Sequence, residues 1–256
     1  MKSKYFNLAK RFTYSQSKKH SVSGISCQMC ENKNCLIKRN LRPDLAFDIS
    51  QEKRVIRCKK GQQFILEGAP VNGLFFVLSG KAKVFRTGIN GKEQIVRFAS
   101  NGDIIGHRGF GTEEFYSIGA EALEDTILCY FSKEILQKAL INDVTFTYDL
   151  MLFYANELNK SESKVKSLSQ MTVRERVVDA LLYINRKFKH RNNYLDLILS
   201  RSDYADFVGT TEEQVIRVLS ALKKENLIVT HGKKIGIPDV PLLQKEIDEH
   251  NFYLHS

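Results

Sequence analysis

The residues best suited to chemistry are cysteines, and three of the five lie in one short segment. The segment CQMCENKNC gives Cys27, Cys30 and Cys35 the spacing C-x2-C-x4-C. Thiolates this close in sequence can bind one centre, and sulfur ligands favour zinc or an iron–sulfur cluster. Either site usually needs four ligands, so we expect a fourth from Cys58 or Cys129, the only other cysteines. The alternative is three unliganded thiols in a loop.

The composition predicts a chain with a proper hydrophobic core and no membrane span. The 256 residues are 43% hydrophobic, which suggests one large domain or two smaller ones. No run of 18 apolar residues occurs, and the N-terminal segment lacks the apolar part of a secretory signal. We therefore expect a cytoplasmic protein, in which an odd number of cysteines argues against a disulfide framework.

The net charge of +10 is concentrated at the N-terminus. Residues 1–40 hold nine basic and one acidic side chain, which we interpret as a solvated basic leader. Residues 170–237 hold twelve basic and eight acidic side chains. This smaller excess gives modest support for a phosphate-binding surface near the C-terminus.

A β-rich region would have to bring Cys129 to the cysteine segment. Between residues 54 and 131, short runs of β-branched and aromatic residues alternate with turn residues, and Asn90-Gly91 between two such runs indicates a hairpin. Many short strands at regular spacing favour a sandwich or barrel. The predicted strands lie at 55–58, 64–66, 74–78, 83–85, 94–98 and 126–130.

Residues 144–169 contain no Gly or Pro and predict one long helix, after a short helix over 132–143 that Ser132 can cap. Its apolar side chains repeat with a period of 3.5, the pattern of a coiled-coil seam. At about 39 Å the helix is too long for one face of a small domain, so we expect the seam to meet a second copy. The alternative is an ordinary long core helix. The seam consists of Met151, Tyr154, Leu158, Ser161, Val165 and Leu168.

Residues 202–226 predict a helix-turn-helix. Ser202 can cap a first short helix, Gly209 can form the turn, and Thr211 can cap a second helix, where Gln214 completes a capping box. A polar outward face on the second helix is what readout in the major groove requires. The predicted DNA-binding residues on this helix are Thr211, Glu213, Gln214, Ile216, Arg217 and Ser220.

Residues 227–237 predict a two-stranded hairpin around His231-Gly232. Lys233 and Lys234 at its turn suit contacts to phosphate, which fix register without reading sequence. On the helix before it, Arg217 can bond a guanine with two donors and Glu213 can accept from a cytosine.

The glycines of the β-rich region carry a family resemblance. Their order is similar to that of the cyclic-nucleotide-binding β-roll, the effector domain of CRP/FNR-type bacterial transcription regulators. The resemblance covers residues 27–238 and implies an α+β chain. Its expected parts are a leader with the cysteine cluster (1–40), a β-roll (41–143), a dimerisation helix (144–169) and a winged helix-turn-helix domain (170–256). The matching positions are Lys60-Gly61, Gly68, Ser79-Gly80, Gly91, Gly102-Asp103 and Gly106.

The roll departs from the cyclic-nucleotide-binding members. Those members have Gly-Glu-Leu followed by an Arg that pairs with the cyclic phosphate. Here the first stretch is Gly106-His107-Arg108, and residues 115–118 of the later stretch contain no Arg. This departure argues against a cyclic-nucleotide ligand, because a shared fold does not carry its ligand along.

The chain instead resembles the oxygen-sensing FNR branch. That resemblance implies that Cys27, Cys30, Cys35 and Cys129 bind a [4Fe–4S] cluster, although the second and third cysteines are one residue closer than in that branch. Cys58 is then a half-buried residue without a role.

Two further positions bear on the FNR branch. That branch has an acidic residue in the seam that opposes dimerisation, a charge gate, whereas this chain has Ser161 at that position. The gate is therefore absent or moved, and Glu157 and Glu162 are the nearby candidates for it. The spacing of Glu213 and Arg217 matches the recognition helix of that branch, but Ile216 replaces a serine that reads bases.

We therefore predict a homodimeric transcription regulator that senses oxygen or redox state through a [4Fe–4S] cluster. Its partners would be a palindromic double-stranded operator and RNA polymerase. An alternative keeps DNA binding but gives the cysteines zinc or a thiol switch, or gives the roll a small molecule. A third hypothesis, an enzyme, lacks support because the sequence shows no nucleophile–base pair, P-loop or HExxH motif.

Overall fold

The computed structural model describes residues 26–111 and 113–251. Of the basic leader predicted for residues 1–40, the first 25 residues lie outside this part of the chain. Two short helices follow the cysteine segment, α1 (Leu36–Asn40) and α2 (Pro43–Glu52). Among the helices described, none combines the length and apolarity that crossing a bilayer would take.

Within the described residues, eight strands form the β-roll. They build two four-stranded antiparallel sheets, with the orders β1-β8-β3-β6 and β2-β7-β4-β5, that enclose one apolar core. The strands are β1 (Arg54–Cys58), β2 (Gln63–Ile65), β3 (Gly73–Ser79), β4 (Ala82–Thr87), β5 (Glu93–Ala99), β6 (Ile104–Ile105), β7 (Gly119–Ala122) and β8 (Thr126–Ser132).

The hairpin prediction at Asn90-Gly91 is confirmed. Strands β4 and β5 pair in antiparallel register on either side of it. Asn90 and Gly91 have φ values of 62° and 75°, the left-handed conformation that tight hairpin turns demand and that these residue types tolerate. The strand prediction omitted β6, which is only two residues long, and β7, whose sequence GAEA lacks β-branched residues.

Two helices connect the roll to the C-terminal domain, α3 (Lys133–Asn142) and α4 (Val144–Gln170). Ser132 caps α3, as predicted, by accepting from the Ile135 amide. The predicted long helix is confirmed to within one residue. Asp143 caps it, because its carboxylate accepts a hydrogen bond from the Phe146 amide at 3.0 Å.

The C-terminal domain is a winged helix-turn-helix. Helix α6 begins two residues earlier than predicted, because Ser200 and Asp203, not Ser202, form its capping box. Gly209 makes the turn at a φ of 72°. The elements are α5 (Val173–Phe188), β9 (His190–Arg191), β10 (Tyr194–Leu195), α6 (Arg201–Val208), α7 (Glu212–Lys224), β11 (Val229–His231), β12 (Lys234–Gly236), α8 (Val240–Gln244) and α9 (Asp248–Asn251).

Candidate cysteine pocket and nucleic-acid interface

Four cysteines converge on one pocket. The structure brings Cys27, Cys30 and Cys35 of the N-terminal segment against Cys129 of β8, and all four line the same cavity. All four thiols are free. The remaining walls combine apolar and polar side chains, namely Phe76, Val77, Leu78, Phe131, Asn32, Lys38 and Lys53.

Side-chain hydrogen bonds hold the cysteine segment against the roll. The Cys27 amide donates to the Ser50 hydroxyl at 2.8 Å, which ties the start of the segment to α2. The Asn32 side-chain amide donates to the Val77 carbonyl at 3.0 Å, which ties its middle to β3. Cys35 is the residue before α1, so the segment leads directly into that helix.

Burial raises the pKa values of two thiols of the pocket, those of Cys129 and Cys35. It raises the pKa of Cys129 to about 11, an effect that the neighbouring Cys27 thiol reinforces and the Lys53 ammonium opposes. Burial likewise raises the pKa of Cys35. The Lys53 ammonium lies 3.7 Å from the Cys27 sulfur. A metal or cluster bound here would have to displace protons, and two nearby lysines would offset part of the thiolate charge.

Cys58 lies elsewhere. It is 2% exposed in the core of the roll, so the interpretation as half-buried was wrong. In the described part of the chain, no three His, Cys, Asp or Glu side chains have the geometry to hold one metal ion. A [4Fe–4S] cluster asks for a different arrangement, because each thiolate binds a separate iron. Four free thiols around one cavity fit that donor set.

The predicted recognition helix is α7. Val215, Leu219 and Leu222 bury its inner face, while every predicted DNA-binding residue on it is exposed. Thr211 caps the helix by accepting from the Gln214 amide at 3.3 Å. The reciprocal bond of a capping box is replaced by a 2.6 Å bond from the Thr210 hydroxyl to the Gln214 side-chain oxygen.

The outer face of α7 carries one ion pair. An Arg217 Nη lies 2.9 Å from a Glu213 carboxylate oxygen, and the two side chains are 75% and 81% exposed. The ion pair is therefore weak, and both side chains can leave it to contact base edges. In the wing, Lys233 lies in the β11–β12 turn and Lys234 begins β12, and both side chains are exposed.

A clamp that the sequence did not reveal fixes the far end of α7. Both Nη atoms of Arg174 on α5 donate to the Glu225 carboxylate, at 3.1 and 2.5 Å, and its Nε donates to Glu246 at 2.8 Å. Such two-pronged pairs add orientation as well as energy. No local pattern predicts it, because Arg174 is more than 50 residues from each of its two partners.

The predicted seam on α4 is only partly free. Met151, Leu158 and Val165 are 55%, 60% and 66% exposed in the single chain. Tyr154 and Ser161 contact the roll instead: the Tyr154 hydroxyl donates to the His107 carbonyl, and Arg108 donates to the Ser161 hydroxyl, both at 2.7 Å.

A buried polar network joins the roll to the inward face of α4. Glu157 is 6% exposed and accepts from Arg97 at 3.2 Å. His107 is 2% exposed, and its Nε2 lies 3.7 Å from the same carboxylate without a hydrogen bond. Burial, with the positive charges of Arg97 and Arg108, lowers the pKa of His107 to about 2. Glu157, a suggested charge gate, is therefore paired inside the protomer.

Residues 55–143 match the family model described as the cyclic nucleotide-binding domain, and residues 175–246 match the Crp-like helix-turn-helix domain. With an exposed recognition helix, these matches define a DNA-binding transcription regulator. The transcriptional activator protein anr of Pseudomonas aeruginosa is 30% identical over 190 residues, which is 73% of this chain and 78% of that protein. The chain belongs to the CRP/FNR family, whose members are regulators that bind DNA as dimers, not enzymes.

One further relative aligns over more of the chain, and a solved structure allows the fold to be compared. The electron transport regulator A of Shewanella oneidensis is 28% identical over 232 residues, 88% of this chain and 92% of that protein. The structure of FixK2 from Bradyrhizobium japonicum superposes with a TM-score of 0.69 and 26% identity, covering 75% of this chain and 96% of that one. The predicted fold class is therefore confirmed.

Proposed function

We propose that this chain is a homodimeric, cytoplasmic regulator that senses oxygen or redox state through a [4Fe–4S] cluster on Cys27, Cys30, Cys35 and Cys129. The observation that carries the proposal is the convergence of these four free thiols on one pocket. When bound, such a cluster supplies a group that oxygen and related oxidants can alter. A similar protein of Pasteurella multocida, 27% identical over 225 residues, 86% of this chain and 81% of that protein, is named anaerobic regulatory protein.

The residues next to the pocket connect it to the dimer helix. Cys35 leads into α1, and Ile37 of that helix is fully buried in the cluster of side chains that includes Phe146 and Leu150 of α4. The Asn40 side chain also bonds the Asp149 carboxylate on α4. A change in how the cysteine segment is held would therefore reach α4 through direct contacts.

We assign the DNA contacts to two sets of side chains. Glu213, Arg217 and their exposed neighbours on α7 would read base edges in the major groove, and Lys233 and Lys234 of the wing would contact phosphates. Two copies of α7 in one dimer would read a palindromic site with half-sites about 34 Å apart. Bound there, the dimer would act with RNA polymerase.

Anaerobic reconstitution with iron and sulfide tests the sensor. We expect wild-type protein and Cys58→Ala to take up about four irons per chain and to show the broad visible absorbance of a cubane cluster, since Cys58 lies outside the pocket. Cys129→Ala should lose stable cluster binding. Zinc without iron in protein purified anaerobically, or a cluster that survives Cys129→Ala, would contradict the proposal.

A further inference from the structure

The DNA-binding domain is docked on the roll through α6, the helix that precedes the recognition helix. Phe207 of α6 is 5% exposed, and its ring lies 4.8 Å from that of Phe98 on β5. Phe85, Ile95 and Phe98 of the roll belong to the same apolar cluster as the core of the C-terminal domain. The two domains therefore share one core in this arrangement.

Three polar side chains surround this apolar contact. The Lys83 ammonium, on a side chain that is 10% exposed, lies 2.8 Å from Glu93 of the roll and 3.7 Å from Asp203 of α6. The Gln94 side-chain amide donates to the Asp206 carbonyl. Lys83 and Gln94 thus bind α6 to β4 and β5.

The third side chain comes from the dimer helix. The Lys164 ammonium of α4 donates to the Phe207 carbonyl at 2.8 Å and lies 3.9 Å from the centre of the Phe207 ring. One residue of α6 therefore takes both a hydrogen bond and a cation–π contact from α4. Helix α6 is held to the roll and to α4 at the same point.

Holding α6 also holds the recognition helix. Val208 of α6 and Val215 of α7 are fully buried in one core, and a tight turn at Gly209 joins the helices. The recognition face, including Arg217, remains exposed in this arrangement. Docking therefore presents α7 to DNA and does not cover it.

We propose that Lys164, assisted by Lys83 and Gln94, is a positioning residue for DNA readout that fixes the angle between α7 and α4. We call the contacts of Lys164, Lys83 and Gln94 with α6 the latch. In a dimer, the angle between α7 and α4 sets the distance between the two recognition helices, so the latch determines which half-site spacing is accepted. The inference rests on the proposed dimer but not on the iron–sulfur cluster.

The test measures spacing preference. Duplexes selected from a random pool by the wild-type protein are compared with the same sequences carrying one or two extra base pairs between the half-sites. Lys164→Met keeps the aliphatic stem but removes the donor and the charge, and should reduce the preference for the selected spacing about tenfold. Binding to a single half-site should stay within about twofold, because the base-contacting side chains are unchanged.

Controls separate positioning from folding. Lys164→Arg keeps a donor and a positive charge, so it should retain the wild-type spacing preference. Lys59 is an 81% exposed lysine paired with Asp125, and Lys59→Met should leave the preference unchanged. Hydrogen exchange in α6 should rise in Lys164→Met. If that variant does not fold, Gln94→Ala is measured instead.

Two results would overturn different conclusions. A Lys164→Met protein, or Gln94→Ala in its place, that keeps the wild-type spacing preference refutes the positioning role alone. A wild-type protein that selects only single half-sites refutes the proposed dimeric readout and the latch with it.

Discussion

Replacing Leu158 by alanine should weaken a dimer without harming the folded chain. Leu158 lies on α4 between Met151 and Val165, seven residues from each, and is 60% exposed in the single chain. At this spacing the three side chains form the apolar stripe of a two-stranded seam. Because the described residues of one protomer leave Leu158 60% exposed, its further burial would come from a second copy.

The expected loss follows from the exposed fraction. Burying a whole leucine side chain contributes about 1.5–3 kcal/mol, so burying the 60% still exposed contributes about 1–2 kcal/mol per chain. A two-fold dimer contains two such residues. Alanine keeps the Cβ methyl group, so the burial of that group is subtracted from the loss. The dimer should then weaken by about 2–3 kcal/mol, which raises its dissociation constant roughly 30- to 150-fold.

Sedimentation velocity over a concentration series measures this shift directly. Ile89→Ala is the matched control, because Ile89 is 89% exposed in the β4–β5 turn and lies far from α4 in sequence. At concentrations where both proteins are monomeric, Leu158→Ala should change the free energy of unfolding by no more than about 0.5 kcal/mol.

Two outcomes would refute the assignment of the seam. Equal dissociation constants for wild-type protein and Leu158→Ala would mean that another surface forms the dimer. Equal weakening by Leu158→Ala and Ile89→Ala would mean that the loss reflects general apolar surface and not the stripe on α4.

Three further substitutions test DNA contacts and the buried network. Arg217→Ala should cost about 1–3 kcal/mol on the preferred site and relax preference at one base pair, measured by competition among single-base variants. Lys233→Ala should weaken all sites alike and reduce the salt dependence of binding by about one counterion. The folded-state pKa of His107 is lowered to about 2, so below about pH 6.5 the unfolded chain binds one more proton at this residue than the folded chain does. The free energy of unfolding therefore decreases as the pH is lowered. Between pH 6.5 and 5 the wild type should lose about 2 kcal/mol through this residue, and chemical denaturation of His107→Gln should lack that component.

Local patterns predicted most elements of the fold. The Asn90-Gly91 turn, the Ser132 and Thr211 caps and the long helix all lie within a residue or so of their predicted places. Each depends on contacts between near neighbours in sequence, which composition and spacing encode. The error at α6 is of the same kind, because two serines stand at 200 and 202 and only the first has an acidic partner, Asp203, at the third helical position.

Long-range contacts could not be read in the same way. From the spacing alone, either Cys58 or Cys129 could be the fourth cysteine beside the cysteine segment. The register of the sheet determines which of the two lies there. In β8, Cys129 faces the side that α1, α2 and the segment cover, whereas Cys58 in β1 faces the core between the sheets. The Arg174 clamp and the contact of Lys164 with α6 likewise join residues that no periodicity relates.

Helix α4 ties the proposals together because its faces have different partners. Its inward residues Phe146 and Leu150 pack with the cysteine segment and α1. The stripe around Leu158 is exposed and available to a second copy. Lys164, near the C-terminus of α4, donates a hydrogen bond to α6. Because α4 is rigid, a movement at one of its faces moves the other faces with it. A small change in how α1 sits on α4 would therefore alter the seam and the angle of the recognition helix together. Coupling by such direct contacts requires no hinge within the helix, and the 27 residues of α4 contain neither Gly nor Pro to form one.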